Sequence, residues 1–188
     1  MKRRWISLAI VTALTVSVAA AQTVPRPAPE LAIHMNDGSQ MLVGKQRGKV
    51  VIVAFILTYC AHCQKAIESL IKVQNELGAQ GLQVMGSAIE DNAASAVPSF
   101  IRRFNPPFPV GFIDRQAVLE FLQRSPMMQM MMPQIAIVDR KGVIRRQLTG
   151  DDKFFEGDQV KNFKDAVEDL LKEKTITKKS TAPRKKSS

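Results

Sequence analysis

An unbroken apolar run, Val50-Val51-Ile52-Val53-Ala54-Phe55-Ile56-Leu57, is followed two residues later by Cys60-Ala61-His62-Cys63. Eight apolar residues in a row, opened by Gly48-Lys49, read as a strand buried on both faces, of the kind found inside a parallel sheet. From Cys60 to Leu77 the apolar residues 63, 66, 67, 70, 71, 73 and 77 recur at helical spacing, and Gly78 ends the pattern. The only two cysteines of the 188-residue chain therefore fall on the first turn of a helix that leaves a buried strand. Two thiols at this spacing can close a disulfide and reopen it. A helix N-terminus carries about half a positive charge from its unpaired N–H groups, which favours a thiolate over a thiol. The thiolate is the species that attacks a disulfide, so the pattern points to thiol–disulfide exchange.

The rest of the chain supplies a sheet for that strand. Residues 31–43 read as a small hairpin around Asn36-Asp37-Gly38, a strong turn signal. Strands are expected over 82–89, 110–113, 134–139 and 143–148, the last two joined across Arg140-Lys141-Gly142. Helices are expected over 95–104, 116–123 and 159–174, with Pro98 in the first turn of the first and Asp158 as N-cap of the last. Asn105-Pro106-Pro107-Phe108-Pro109 must be irregular. The order hairpin, strand–helix–strand–helix, insert, strand pair, helix predicts an α/β fold: a mixed central sheet with helices on both faces.

The formal charge of +10 is terminal rather than distributed. Lys2, Arg3 and Arg4 supply three charges, and Lys178, Lys179, Arg184, Lys185 and Lys186 supply five, leaving +2 for everything between. A near-neutral body argues against nucleic-acid binding. The basic start, the apolar stretch from Trp5 to Val18 and Ala19-Ala20-Ala21 form a secretory-signal pattern with a cleavage site before Gln22. The chain thus divides into a signal peptide (1–21), a Pro-rich extended lead-in (22–30), one domain (31–174) and a basic tail (175–188) expected to be disordered. Export places the cysteines in an oxidising compartment, the periplasm or its equivalent.

The Asp37-Gly38 turn, Gly48 to Phe55, Tyr59-Cys60-Ala61-His62-Cys63, and the block Met132-Pro133-Gln134-Ile135-Ala136-Ile137-Val138-Asp139 with Gly142 behind it resemble the thioredoxin-like superfamily. More narrowly, they resemble the exported TlpA/ResA-type group within the wider redoxin (AhpC/TSA-like) assemblage. The resemblance covers roughly residues 30–174 and implies a thioredoxin fold and a thiol–disulfide oxidoreductase. It implies Cys60 as the attacking thiol, Cys63 as the resolving thiol of a redox disulfide, and Pro133 as a cis-proline. That proline would set the Met132 backbone beside the sulfurs to meet an incoming peptide, with Tyr59 where the family often has Trp. His62 resembles the histidine of the strongly oxidising DsbA type, where an imidazole stabilises the attacking thiolate. The partners implied are other proteins, through transient mixed disulfides, with a monomer as the working unit and no organic cofactor or resident metal. The membrane is met only through the signal sequence or the basic tail.

Three positions depart from the family. The acid of many thioredoxins, on the strand six residues before the first cysteine, is Ala54; the TlpA/ResA-type glutamate, three after the second cysteine, is Ala66; and the helix-kinking proline is Glu68. Two familiar proton acceptors are missing, and Glu90 or Asp91, at the end of the next strand, is the expected substitute. Two rival chemistries are open. A thiol peroxidase of the redoxin type would need Pro and Thr where this chain has Val53 and Leu57. Alternatively Met127, Met128, Met130, Met131 and Met132 supply soft thioethers suited to Cu(I), although packing or an adaptable partner-binding surface also accounts for them.

Overall fold

The computed structural model describes residues 24–173. The chain runs β1 (Arg26–Pro27), β2 (Ala32–His34), β3 (Gln40–Leu42), β4 (Val50–Ile56), α1 (Ala61–Leu77), β5 (Leu82–Ala88), α2 (Ala93–Phe104), β6 (Val110–Phe112), α3 (Arg115–Leu122), β7 (Gln134–Val138), β8 (Val143–Thr149) and α4 (Gln159–Lys172). The eight strands form one sheet in the order β1-β8-β7-β4-β5-β6-β2-β3. β4 lies inside it, parallel to β5 and antiparallel to β7, and every residue of β4 is buried. This is why its sequence is a continuous apolar run rather than an alternation.

The two-residue period of β4 divides the core. Val50, Ile52, Ala54 and Ile56 face a cluster with Cys63, Ile67 and Leu70 of α1, Val97 and Phe100 of α2, and Phe163 and Val167 of α4. Val51, Val53 and Phe55 face the other way, toward Ile33 of β2, Leu119 and Phe121 of α3, and Met130. Helices therefore cover both faces of a mixed sheet, as the element order predicts. Phe154 and Phe155 meet Phe163 edge-on beneath α4.

The structure adds two features to the sequence reading. The Pro-rich lead-in pairs with the sheet: Arg26 and Pro27 lie antiparallel to Ile144 and Val143. Proline can do this on an edge strand, where its missing N–H faces no partner. Helix α2 begins at Ala93, two residues before the predicted start, so Pro98 is inside it. Pro98 has no N–H for the Ala94 carbonyl, and Asn36 of the β2–β3 turn fills the vacancy with its side-chain amide at 2.7 Å. The Asp158 cap of α4 is present, accepting from the Lys161 N–H at 3.1 Å. The expected signal peptide and basic tail lie outside the described residues.

Candidate active site

The C-terminal end of β4 is where three segments converge, and pairing register brings them there. β4 and β5 pair in parallel, Ile56 opposite Ala88. Continuing that register sets Thr58 beside Glu90. β4 and β7 pair antiparallel, Phe55 opposite Gln134, so the residues just before Gln134, Met132 and Pro133, run alongside those just after Phe55. The loop 57–60 then turns into α1, with the Cys60 N–H bonding the Leu57 carbonyl at 3.1 Å.

Helix α1 starts one residue later than its apolar spacing predicts. Cys60 is the N-cap, with extended backbone (φ −80°, ψ 121°), and its carbonyl accepts from the Gln64 N–H at 2.9 Å. Its side chain makes no capping hydrogen bond and is half-buried, whereas Cys63, one turn inward, is fully buried. The Leu57 N–H points at the Cys63 sulfur at 3.4 Å. Burial pushes the Cys63 thiol far above the ordinary thiol range. The Leu57 N–H opposes this, and the Cys60 sulfur and the charge of Glu90 reinforce it. The pair thus has an accessible sulfur at the helix cap and a sequestered one that holds its proton.

The positions where the family carries acids are filled by methyl groups. Ala54 and Ala66 are both buried, and Ala54 shares the Cys63 cluster, while Glu68 is exposed. Of the two acids at the end of β5, Asp91 is exposed and Glu90 turns inward. Glu90 Oε1 accepts from the Thr58 N–H at 3.1 Å and from the Thr58 hydroxyl. Its other oxygen, Oε2, is buried and has no hydrogen-bond partner among the described residues.

Met132–Pro133 is a cis peptide, and Pro133 is buried. The Met131 carbonyl just ahead of it accepts from the Gly150 N–H at 3.0 Å, from the Thr149 hydroxyl at 3.2 Å and from the Gln134 side-chain amide. Met132 packs against both core clusters, and Cys60 against one of them. Tyr59 is 71% exposed on the rim. A groove of about 300 Å3 lies beside it against Arg103 of α2, and another of about 340 Å3 lies beside His62 against Gly150 and Asp152. His62 is exposed and makes no hydrogen bond among the described residues. It adjoins the pair along the helix without touching either sulfur through a hydrogen bond.

The methionine cluster divides. Met130 is core, Met132 is half-buried, and Met127, Met128 and Met131 are exposed, Met127 at 92%. Among the described residues no three His, Cys, Asp or Glu side chains are set to hold a metal ion. Sequence reasoning missed Thr58, Gln134, Thr149 and Gly150 as parts of the site. Only Gly150 left a signal, a glycine directly after a strand. No helix of the described residues is long and apolar enough to cross a membrane.

Comparison with known proteins agrees with this geometry. The Redoxin family model matches residues 23–168. Thiol-disulfide oxidoreductase ResA of Geobacillus kaustophilus is 26% identical over 131 residues, 69% of this chain and 71% of that protein. The thioredoxin domain of a thiol-disulfide oxidoreductase from Bacteroides vulgatus superposes with a TM-score of 0.62 at 20% identity, covering 78% of this chain and 96% of that one. A thiol:disulfide interchange protein of the thioredoxin family from Chlorobium tepidum gives 0.61 at 20%, covering 78% and 99%. The structural likeness shows a shared fold.

Proposed function

The chain belongs to the Redoxin family and is a thioredoxin-like oxidoreductase of the TlpA/ResA type; we propose that it exchanges disulfides with other proteins outside the cytoplasm through Cys60 and Cys63. The observation that carries this reading is the asymmetry of the pair: one sulfur reachable at a helix cap, the other buried one turn inward. Cys60 attacks one sulfur of a partner disulfide, the partner S–S bond breaks with its other sulfur leaving as a thiolate, and a mixed disulfide remains. Cys63 then attacks Cys60, closing the internal disulfide and releasing the partner thiol. The reverse sequence oxidises a partner dithiol by the same atoms.

Tyr59 and the Met132-Pro133 backbone flank the sulfurs and receive the partner chain. His62, exposed and two residues after Cys60, is placed to tune that sulfur. The ResA relative bears the name of a thiol-disulfide oxidoreductase, which supports the reaction type. The basic, apolar and Ala-rich succession of residues 2–21 supports export.

Replacing Cys63 with Ser removes the resolving sulfur and freezes the exchange at the mixed disulfide. Proteins bound covalently to the Cys63→Ser variant, released by dithiothreitol and absent from a Cys60→Ser/Cys63→Ser control, are the expected result in the exported fraction. An empty trap refutes a protein-directed role.

A further inference from the structure

Resting on the Cys60–Cys63 reading above, we propose that Glu90 is the proton acceptor for Cys63, with Thr58 as the residue that positions it. The two amides of one dipeptide make the arrangement. Leu57 N–H is aimed at the Cys63 sulfur and Thr58 N–H at Glu90 Oε1. Because successive amides of a strand end hold them, the sulfur and the carboxylate are brought to the same stretch of backbone from opposite sides, one from α1 and one from β5. Thr58 grips the carboxylate twice, by N–H and by hydroxyl, so Oε1 is committed. Oε2 is left buried with no partner among the described residues. An unpartnered buried carboxylate oxygen is costly, and its persistence calls for a use.

Cys63 supplies that use, because a buried thiol cannot attack while it holds its proton. The resting structure sets no hydrogen bond between Cys63 and Glu90 Oε2, so in the resolving step the Cys63 S–H proton passes to Oε2 by way of one solvent molecule, giving a thiolate and a carboxylic acid. The thiolate attacks the Cys60 sulfur of the mixed disulfide, the Cys60–Cys63 bond forms, and the partner sulfur leaves with the bonding electron pair. The proton on Glu90 then passes to that leaving sulfur. The two electrons gained by the partner are those lost by the cysteine pair, and no net proton is consumed within the site. In the oxidising direction the same atoms run backwards: Glu90 protonates the departing Cys63 thiolate. The charge of Glu90 reaches the Cys63 sulfur, where it adds to burial in holding the thiol protonated. Cys60, the N-cap of α1, is the other ionisable group acting on Cys63; of the rest, Asp91 beside Glu90 is exposed, Tyr59 and Arg103 line the groove on one side of the cysteine loop, and His62, Lys65, Asp151, Asp152 and Glu156 line the groove on the other.

Reaction of the reduced full domain with 5,5′-dithiobis(2-nitrobenzoate) separates the steps. The first equivalent of thionitrobenzoate reports attack by Cys60, and the second reports resolution by Cys63. Glu90→Gln keeps the shape and the acceptor for Thr58 while removing the base. It is expected to leave the first phase unchanged, to slow the second about 100-fold, and to change the pH profile of the second phase only. Thr58→Val keeps the amide bond, loses the hydroxyl, and slows the second phase by about fivefold, the worth of one hydrogen bond. A second phase in Glu90→Gln within threefold of wild type, with an unchanged pH profile, overturns the role of Glu90 and leaves the Cys60–Cys63 reading standing. Absence of a second phase in the wild type overturns both. Should Glu90→Gln fail to fold, Thr58→Val decides: an unaltered second phase refutes the proposal.

Discussion

Replacing Gly150 with Ala tests whether the Met131–Pro133 loop is held in place by direct backbone contact. A Cβ built on Gly150 stands 2.1 Å from the Met132 carbonyl oxygen, 2.4 Å from its carbon and 3.0 Å from its nitrogen. Ordinary contact begins at 3.4 Å, so the two backbones must part by about 1.3 Å. The displaced atoms are main chain, with no flexible side-chain end to swing aside. Overpacking of this kind costs about 1–3 kcal/mol. The Gly150 N–H bond to the Met131 carbonyl, and the Thr149 hydroxyl bond to the same oxygen, stretch with it, adding about 1 kcal/mol. Reduced freedom of the unfolded chain returns about 0.4–1 kcal/mol. A net loss of about 1–3.5 kcal/mol is expected, or roughly 3–10 °C in Tm for a domain of this size. Urea unfolding of the reduced variant and wild type, with the slope checked for constancy, measures it. Mixed-disulfide formation with a peptide disulfide should fall in parallel, because the loop beside Cys60 has moved. A Gly150→Ala protein within 0.5 kcal/mol of wild type would refute the close-approach argument.

Two further outcomes follow from the geometry. Asp139, only 2% exposed, accepts from the Lys141 and Val143 N–H groups at 2.9 and 3.0 Å and from Arg145 at 3.0 Å, closing the β7–β8 turn. Asp139→Ala takes the acceptor from three part-buried hydrogen bonds and should cost about 1–3 kcal/mol by urea unfolding. Asp139→Asn keeps one acceptor and should recover part of it; no loss in either variant contradicts the assignment. The folded-state pKa of Cys63 is raised. Below the ionisation range of an unfolded thiol, about pH 8.5, both states hold the proton and stability is unaffected. Above it the unfolded chain releases the proton and the folded chain keeps it, so stability of the reduced protein falls by up to about 1.4 kcal/mol per pH unit. Unfolding followed from pH 7 to 10 should show this extra slope in wild type and lose it in Cys63→Ala. Parallel pH curves for the two would show that Cys63 ionises as readily folded as unfolded.

Much of this arrangement is written locally in the chain, and what is not depends on register. The apolar run 50–57, the helical spacing after Cys60 and the Asp139–Gly142 turn each declare their element within a few residues, because burial and backbone preference act at that range. β1 does not: two residues with Pro27 among them carry no strand signal, and only the open edge of β8 makes them one. Glu90 is a similar case. Its acid character was visible, but its nearness to Thr58 follows from the parallel offset of β4 against β5, which no short motif encodes. The run of methionines looked uniform in sequence, yet the irregular backbone of 123–133 turns Met130 into the core and Met127 out of it. Gly150 marks in the sequence only the end of a strand, since the backbone it must admit lies 18 residues away.

Cys63 belongs to the same cluster as Ile67, Phe163 and Val167, so the reactive sulfur is also a packing atom. Joining it to Cys60 changes the contacts of that cluster, and the two oxidation states therefore differ in how tightly the domain is folded. Around a closed thermodynamic cycle, that difference in unfolding free energy is also a displacement of the couple's reduction potential relative to the unfolded chain. Every 1.4 kcal/mol by which packing favours one state over the other moves the potential by about 30 mV. Aliphatic and aromatic residues with no chemistry of their own thus help set the voltage at which this domain operates.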